Sequence, residues 1–203
     1  MSRLATAFVL GYHGCDKSIG HRAVNGEIDL LQSNRDYDWL GPGAYFWESD
    51  PQRALEWANW KTGRGEYLAP FVIGAVIDLR NCLDLVSRED LDVLKRAHEI
   101  FLDVWQKSGD PMPQNKSVPG KPNDDLVLRY LDNAVIRYLH EMTANPQENA
   151  PGVEPYDTVR GMFVEGDQLF QGSGFKVRSH VQIAVLNLNC IRGLFVPRPF
   201  PPP

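Results

Sequence analysis

The chain has 203 residues, enough for one domain with a substantial core. Hydrophobic residues make up 43% and charged residues 23%, a mixture that excludes a fibrous or disordered chain. A net charge of −5 argues against broad, non-specific adhesion to nucleic acid, which needs a basic face; Lys61 with Arg64, or Lys176 with Arg178, leaves room only for a local basic groove.

In chain order, residues 5–13 predict a first strand, because Phe8, Val9, Leu10 and Tyr12 favour the pleat, with Gly14 ending it. Residues 17–24 predict a short helix stopped by Asn25-Gly26, and residues 28–31 a short strand. A turn-rich aromatic loop over 36–43 leads into a strand fragment at 44–47. Asp50-Pro51 opens a helix through Ala54, Leu55, Trp57 and Ala58 that ends before Gly63: Asp50 caps free N–H groups, and Pro51 suits the first helical position, where its missing N–H costs nothing. Residues 71–79 predict a buried central strand. Ser87 begins a long helix whose Leu91, Leu94, Ala97, Ile100, Phe101 and Val104 form one apolar stripe.

A polar, Pro- and Gly-rich loop follows over 107–123, then a second helix over 124–142 with Leu126, Tyr130, Ala134, Ile136 and Leu139 facing inward. A Pro-rich loop over 145–154 precedes strands at 159–165 and 181–188, with a flexible loop over 166–174 between them. Residues 197–203 read as an extended polyproline tail. Strands at both ends with helices between them predict one α+β domain over 1–196, built on split, mostly antiparallel sheets.

The longest apolar run, at 71–77, is far too short to cross a bilayer. The N-terminal stretch lacks a small-residue cleavage site and reads as structure, not as a signal peptide. Cys15, Cys82 and Cys190 are odd in number and far apart, so neither a disulfide framework nor a metal site is expected, and a reducing cytoplasm is the expected setting. His21, His98 and His140 fall on predicted helices without metal-ligand spacing.

Two motifs carry chemistry. Tyr12-His13-Gly14-Cys15 stands at the end of the first strand; Gly41-Pro42-Gly43-Ala44-Tyr45-Phe46 follows, and then a helix bearing Trp57. In order and spacing this resembles the ADP-ribosyltransferases of the poly-ADP-ribose-polymerase and diphtheria-toxin type, which carry a His-Gly step, a Gly-x-Gly-x-Tyr-Phe segment and a second aromatic on the next helix. The resemblance implies an ADP-ribosyltransferase-like fold and NAD⁺ as substrate. Tyr45 and Trp57 would sandwich the cationic nicotinamide ring by stacking and cation–π attraction. The Gly14 backbone would approach the carboxamide, His13 would hydrogen-bond the adenine-side ribose, and Gly41 and Gly43 would let the loop turn against the NAD⁺. The alternative is that His13 ends a core strand while Tyr45, Phe46 and Trp47 fill the core. Neither a P-loop nor a Rossmann glycine fingerprint is present, so dehydrogenase chemistry is not expected. Cys15 beside His13 offers a thiol nucleophile as a further alternative.

The resembling families carry a catalytic Glu on a strand near the C-terminus, and the matching residue here is Gln182, in Arg178-Ser179-His180-Val181-Gln182. Gln orients a ribose but is neutral and no base. That departure fits transfer of one ADP-ribose unit and not chain elongation. Glu165 is the candidate acceptor base, and Arg160 a candidate contact to the diphosphate or the acceptor; the alternative for both is a salt bridge at a strand end. Phe170 and Phe175 flank the place where such enzymes recognise the acceptor. The expected activity is mono-ADP-ribosyl transfer from NAD⁺ to a macromolecular acceptor (protein, RNA or DNA), with nicotinamide released. An NAD⁺ glycohydrolase and a non-catalytic NAD⁺/ADP-ribose-binding module are the alternatives. The small single-domain form resembles bacterial toxins of toxin–antitoxin or phage-defence systems, which implies an antitoxin protein as partner.

Overall fold

The computed structural model of the chain describes residues 8–118, 125–144 and 154–198. Its strands are β1 (Phe8–Asp16), β2 (Ala44–Glu48), β3 (Pro70–Asp78), β4 (Cys82–Asp84), β5 (Thr158–Phe163), β6 (His180–Val185) and β7 (Ile191–Phe195). Four helices accompany them: α1 (Lys17–Val24), α2 (Pro51–Gly63), α3 (Arg88–Ser108) and α4 (Tyr130–Ala144). The strands form one seven-stranded sheet in the order β4-β5-β6-β2-β1-β3-β7, where separate sheets were expected, because β1 and β2 still pair across the middle. Every pairing is antiparallel except that of β4 with β5, so the domain is α+β with a mostly antiparallel sheet.

The sheet is narrowest in its middle. β1 pairs with β3 along its whole length, from Phe8↔Asp78 to Asp16↔Pro70. With β2 it pairs only at Gly11↔Glu48 and Tyr12↔Trp47. Beyond Tyr12 the two strands part, and β2 continues its ladder with β6, from Ala44↔Val185 to Trp47↔Gln182.

Side chains alternate between the two faces of a strand, which separates the core into blocks. One face carries Cys15, Phe46, Ile73, Ile77, Ile183 and Val185, packed with Ala23 of α1 and with Leu30 and Cys190. The other face is covered twice. Val159 and Ala184 lie with Leu40 among Ala97 and Phe101 of α3 and Ile136 and Leu139 of α4. Trp47 and Val72 lie under Ala54 of α2. Full burial of a side chain such as Phe46 or Ile183 contributes about 1.5–3 kcal/mol.

The helix starts follow their caps. Asp50 accepts from the Arg53 N–H at 2.9 Å, with Pro51 opening α2. Ser87 caps α3 through the Asp90 N–H at 3.4 Å, and Gly109, at φ 79°, ends it.

Several boundaries differ from expectation. Gly14 does not end the first strand, because the ladder to β3 carries β1 to Asp16. No strand forms at 28–31: Leu30 is drawn into the core, and the local pairing is a single bridge from Ser33 to Gly43. The second helix begins at Tyr130, where the Asn115 carboxamide oxygen accepts from the N–H groups of Leu131 (2.9 Å) and Asp132 (3.3 Å) and acts as a cap from outside the helix. Leu126 stays half-exposed, and the buried face of α4 is Asn133, Val135, Ile136, Leu139 and Thr143. After β6 a 3-10 turn at Leu188–Cys190 leads into β7, a strand not expected from the sequence, which borrows its stability from the β3 edge. The three-residue β4 is too short to show a pattern. Residues 5–7, 119–124, 145–153 and 199–203, on which parts of the expected first strand, loops, second helix and tail fall, lie outside the described residues.

Candidate functional site

The two sequence motifs meet where the sheet opens. On β1 the Leu10 carbonyl accepts from the Ser49 N–H at 2.8 Å, so the backbone polar groups of Leu10, Tyr12 and Gly14 all point toward β2. Continuation of the ladder past Tyr12↔Trp47 would pair Gly14 with Tyr45. Instead the strands have parted, and the imidazole of His13 lies 2.8 Å from the Tyr45 carbonyl through Nδ1. A carbonyl can only accept, so Nδ1 carries the proton and the neutral ring presents Nε2 as an acceptor. Burial pulls the His13 pKa below 6.5, against the raising effect of that bond, and keeps the ring neutral at pH 7. The N–H and C=O of Gly14 are thereby left facing the opening.

Glycine at position 14 has a structural cause as well. A Cβ there would lie 2.2 Å from the Ala54 carbonyl oxygen, so the bare Cα is what lets α2 settle onto β1. Gly43, at φ 150°, leaves no room for a Cβ either, which would meet the Val185 backbone at 3.0 Å. The close approach that Gly43 allows is thus to the Val185 backbone of β6.

Tyr45 stands on the face of β2 that carries Trp47, and the register places Gln182 and Ala184 on that face too. The Tyr45 hydroxyl donates to the Gly41 carbonyl (2.7 Å) and accepts from the Leu40 N–H (3.0 Å). Burial, reinforced by the Asp38 carboxylate, raises its pKa well above 10. The Gln182 carboxamide oxygen accepts from the Trp39 indole at 2.6 Å, which commits its NH₂ group to donate to whatever lies above it. Trp39 reaches that position over Gly161, where a Cβ would collide with its ring at 2.8 Å.

An aromatic run continues across this face. Trp39 contacts Phe163 (5.0 Å between centroids), Phe163 stacks on His180 (5.7 Å), and His180 meets Trp47 (6.2 Å). Trp47 meets Trp57 (6.0 Å), which meets Trp60 (5.0 Å). The rings that meet Trp57 are therefore Trp47 and Trp60; Tyr45 belongs to the cluster under α3 and α4 and Trp57 to the one under α2. Arg53 lies over Trp47, and Arg129 over Phe163. Among the described residues, Trp47 Nε1, Arg53 Nε and Arg129 Nε are buried donors without a protein partner. Three such donors near one surface suit an oxygen-rich ligand.

Glu165 is buried beside the same run. Its carboxylate takes Arg53 Nη2 at 3.0 Å and has Arg178 Nη1 at 3.9 Å. Arg160 is held away from the opening by its ion pairs with Glu48 and Asp84. It pairs in register with Ile183, on the Phe46 face that the ladder to Ile73 also gives His13. Cys15 is buried on that face, and burial together with Asp16 pushes its thiol up to about 12, which removes the thiolate a nucleophile needs. No group of His, Cys, Asp and Glu that could hold a metal ion occurs among the described residues. Nor, among those residues, is any helix long and apolar enough to cross a membrane. A groove of about 340 Å³ between α3 and α4, lined by Leu91, Leu94, His98 and Val135, shares no residue with this site.

No family model, curated protein or solved structure matches the chain. The site is therefore read from its own residues. Trp39, Trp47, Arg53, Phe163 and His180 escaped the sequence reading. Each belongs to the site through strand register or through a contact between distant segments, and none has a local motif. For His180 a signal did exist: period-two alternation places it on the face of Gln182.

Proposed function

We propose that the chain is a mono-ADP-ribosyltransferase of the split-sheet kind, taking ADP-ribose from NAD⁺ and releasing nicotinamide. The single observation carrying this reading is the bond from His13 Nδ1 to the Tyr45 carbonyl. It fills the acceptor that Gly14 would otherwise occupy, so the Gly14 N–H and C=O stay free for a carboxamide, a group that presents one acceptor and one donor at matching spacing. His13 Nε2 then accepts from a ribose hydroxyl. The Gln182 NH₂ donates to the reacting ribose, held there by Trp39. The buried donors on Trp47 and Arg53 suit phosphate oxygens. The narrow waist between β1 and β2 fits the split-sheet architecture that the sequence resemblance implies.

The chemistry asks little of a base at the first bond. The bond between ribose C1′ and nicotinamide N1 breaks with its electron pair going to nitrogen, so a cationic pyridinium leaves as a neutral ring. The positive charge passes to the ribosyl oxocarbenium ion, and an acceptor X–H closes on C1′ and gives up its proton. Trp57 remains the partner for the nicotinamide ring in this reading, with Trp47 beside it. Phe170 and Phe175, at 62% and 74% exposure, offer an acceptor rings to stack on. A role as a toxin held in check by an antitoxin is proposed on the resemblance alone; growth arrest on expression that requires His13 would support it.

The test is incubation of the purified chain with NAD⁺ labelled in the adenylate and with cell lysate, followed by protease or nuclease digestion. Labelled macromolecule supports transfer, and the digestion that destroys it names the acceptor class. Free ADP-ribose alone selects the glycohydrolase, and binding without nicotinamide release selects the non-catalytic module.

A further inference from the structure

We propose that His180 is the general base that takes the acceptor's proton during transfer. The proposal rests on the transfer reading above and adds the residue that reading lacks. Gln182 cannot accept a proton, and the Glu165 carboxylate is held by Arg53 and Arg178. A third group is therefore needed where the acceptor's nucleophile meets C1′.

His180 has the position and the tautomer. It lies two residues before Gln182 on β6, so both side chains stand on the same face. Its ring is fixed between Phe163, on which it stacks, and Trp47. Nδ1 lies 2.6 Å from the Arg178 carbonyl, which makes Nδ1 the N–H and Nε2 the lone pair. Among the described residues, Nε2 receives no protein hydrogen bond. In the chain, His180 begins β6 shortly after the exposed rings of Phe170 and Phe175.

The charged groups around the ring are Arg53 and Asp50 from the start of α2, Glu165 after β5, and Arg178 on its own segment. Burial outweighs the others and lowers the His180 pKa, so the ring is neutral and able to accept at pH 7. In the step, the X–C1′ bond forms as the X–H proton passes to Nε2. The electron pair of the C1′–N1 bond leaves with nicotinamide, and the imidazolium then returns its proton to solvent. The balance is NAD⁺ and X–H giving X–ADP-ribose, nicotinamide and H⁺.

The test uses His180→Asn, whose amide N–H can still reach the Arg178 carbonyl but offers no basic nitrogen. Labelled acceptor, free ADP-ribose and NAD⁺ affinity are measured side by side. Acceptor labelling should fall about 100-fold or more, and by clearly more than NAD⁺ hydrolysis does, while NAD⁺ affinity holds. Added imidazole should restore part of the labelling in His180→Ala. Labelling within about threefold of the parent, or an equal loss of labelling and hydrolysis, overturns the proposal. If the variants do not fold, the parent chain decides: its ratio of labelling to hydrolysis should fall as pH drops through the His180 pKa, which burial holds below 6.5. His13 bears on both products alike and cancels from that ratio, so a flat ratio overturns the proposal. A parent chain that labels no acceptor defeats the transfer reading itself, whereas labelling that survives loss of His180 defeats only this base.

Discussion

The His13 imidazole meets the Tyr45 carbonyl, at 2.8 Å, where the ladder between β1 and β2 has just ended. A side chain thus takes the place of a backbone N–H, and the sheet stays joined while one residue of β1 keeps its polar groups for something else.

His13→Ala leaves the Tyr45 carbonyl without its donor in a partly buried place, which should cost about 1–3 kcal/mol. Nicotinamide release should fall about 100-fold or more, because the ribose acceptor and the alignment of Gly14 go together. Thermal unfolding and turnover of labelled NAD⁺ check the two halves separately. Undiminished turnover in a folded variant would remove His13 from the site.

Tyr45→Phe separates ring from hydroxyl. It loses the bonds to Leu40 and Gly41 and should cost about 1–3 kcal/mol. Turnover should survive if the ring acts by stacking. Turnover lost with the melting curve unchanged would show that the hydroxyl itself contacts the ligand.

Gly14→Ala should be among the most damaging small changes in the molecule. The new Cβ meets the Ala54 carbonyl oxygen at 2.2 Å and carbon at 3.1 Å, and backbone atoms cannot move aside by a rotamer change. α2 must shift off β1, at a cost of about 3 kcal/mol, seen as a lower denaturant midpoint. An unaffected midpoint would mean that α2 does not lie on β1 as described.

Gln182→Glu places a carboxylate against the Trp39 indole N–H, a charge-assisted bond that holds it where the transfer proposal puts the reacting ribose. NAD⁺ hydrolysis should rise by about tenfold, as support for the oxocarbenium ion improves. Unaltered hydrolysis would put the reacting carbon elsewhere.

Acid should weaken the fold through its histidines. Burial lowers the pKa of His13, His180 and His140, the last to about 4. A lowered folded-state pKa means that the unfolded chain binds the proton more readily. The stability is full above pH 6.5 and is lost as pH falls from there through the folded-state value. His140, with its Nε2 buried and unpartnered, should account for about 3 kcal/mol of that loss by pH 4. Melting curves of His140→Leu should therefore be flatter than the parent's between pH 7 and pH 4, and equal slopes would contradict the burial of this ring.

The helices with caps written beside them were legible in the chain, as were the strands with a clear run of β-formers. Asp50-Pro51 and Ser87 each mark a start within one residue of where it occurs. α4 was displaced because its cap, Asn115, lies 16 residues before the N–H it receives. β7 was missed because Ile191 to Phe195 forms a strand only with the β3 edge to pair with.

The site divides along the same line. By itself the sequence determined that a histidine-tipped strand end and a glycine turn carry the two motifs, since His-Gly and Gly-x-Gly-x-Tyr are local patterns with local conformational causes. Only the tertiary structure decided that His13 reaches the Tyr45 carbonyl, that Trp39 holds Gln182, that Glu165 is tied to Arg53, and that Arg160 is tied to Glu48 and Asp84. Those facts depend on strand register and on which segments the core draws together. Register is fixed by burial summed over a whole sheet, a quantity that no short stretch of residues contains.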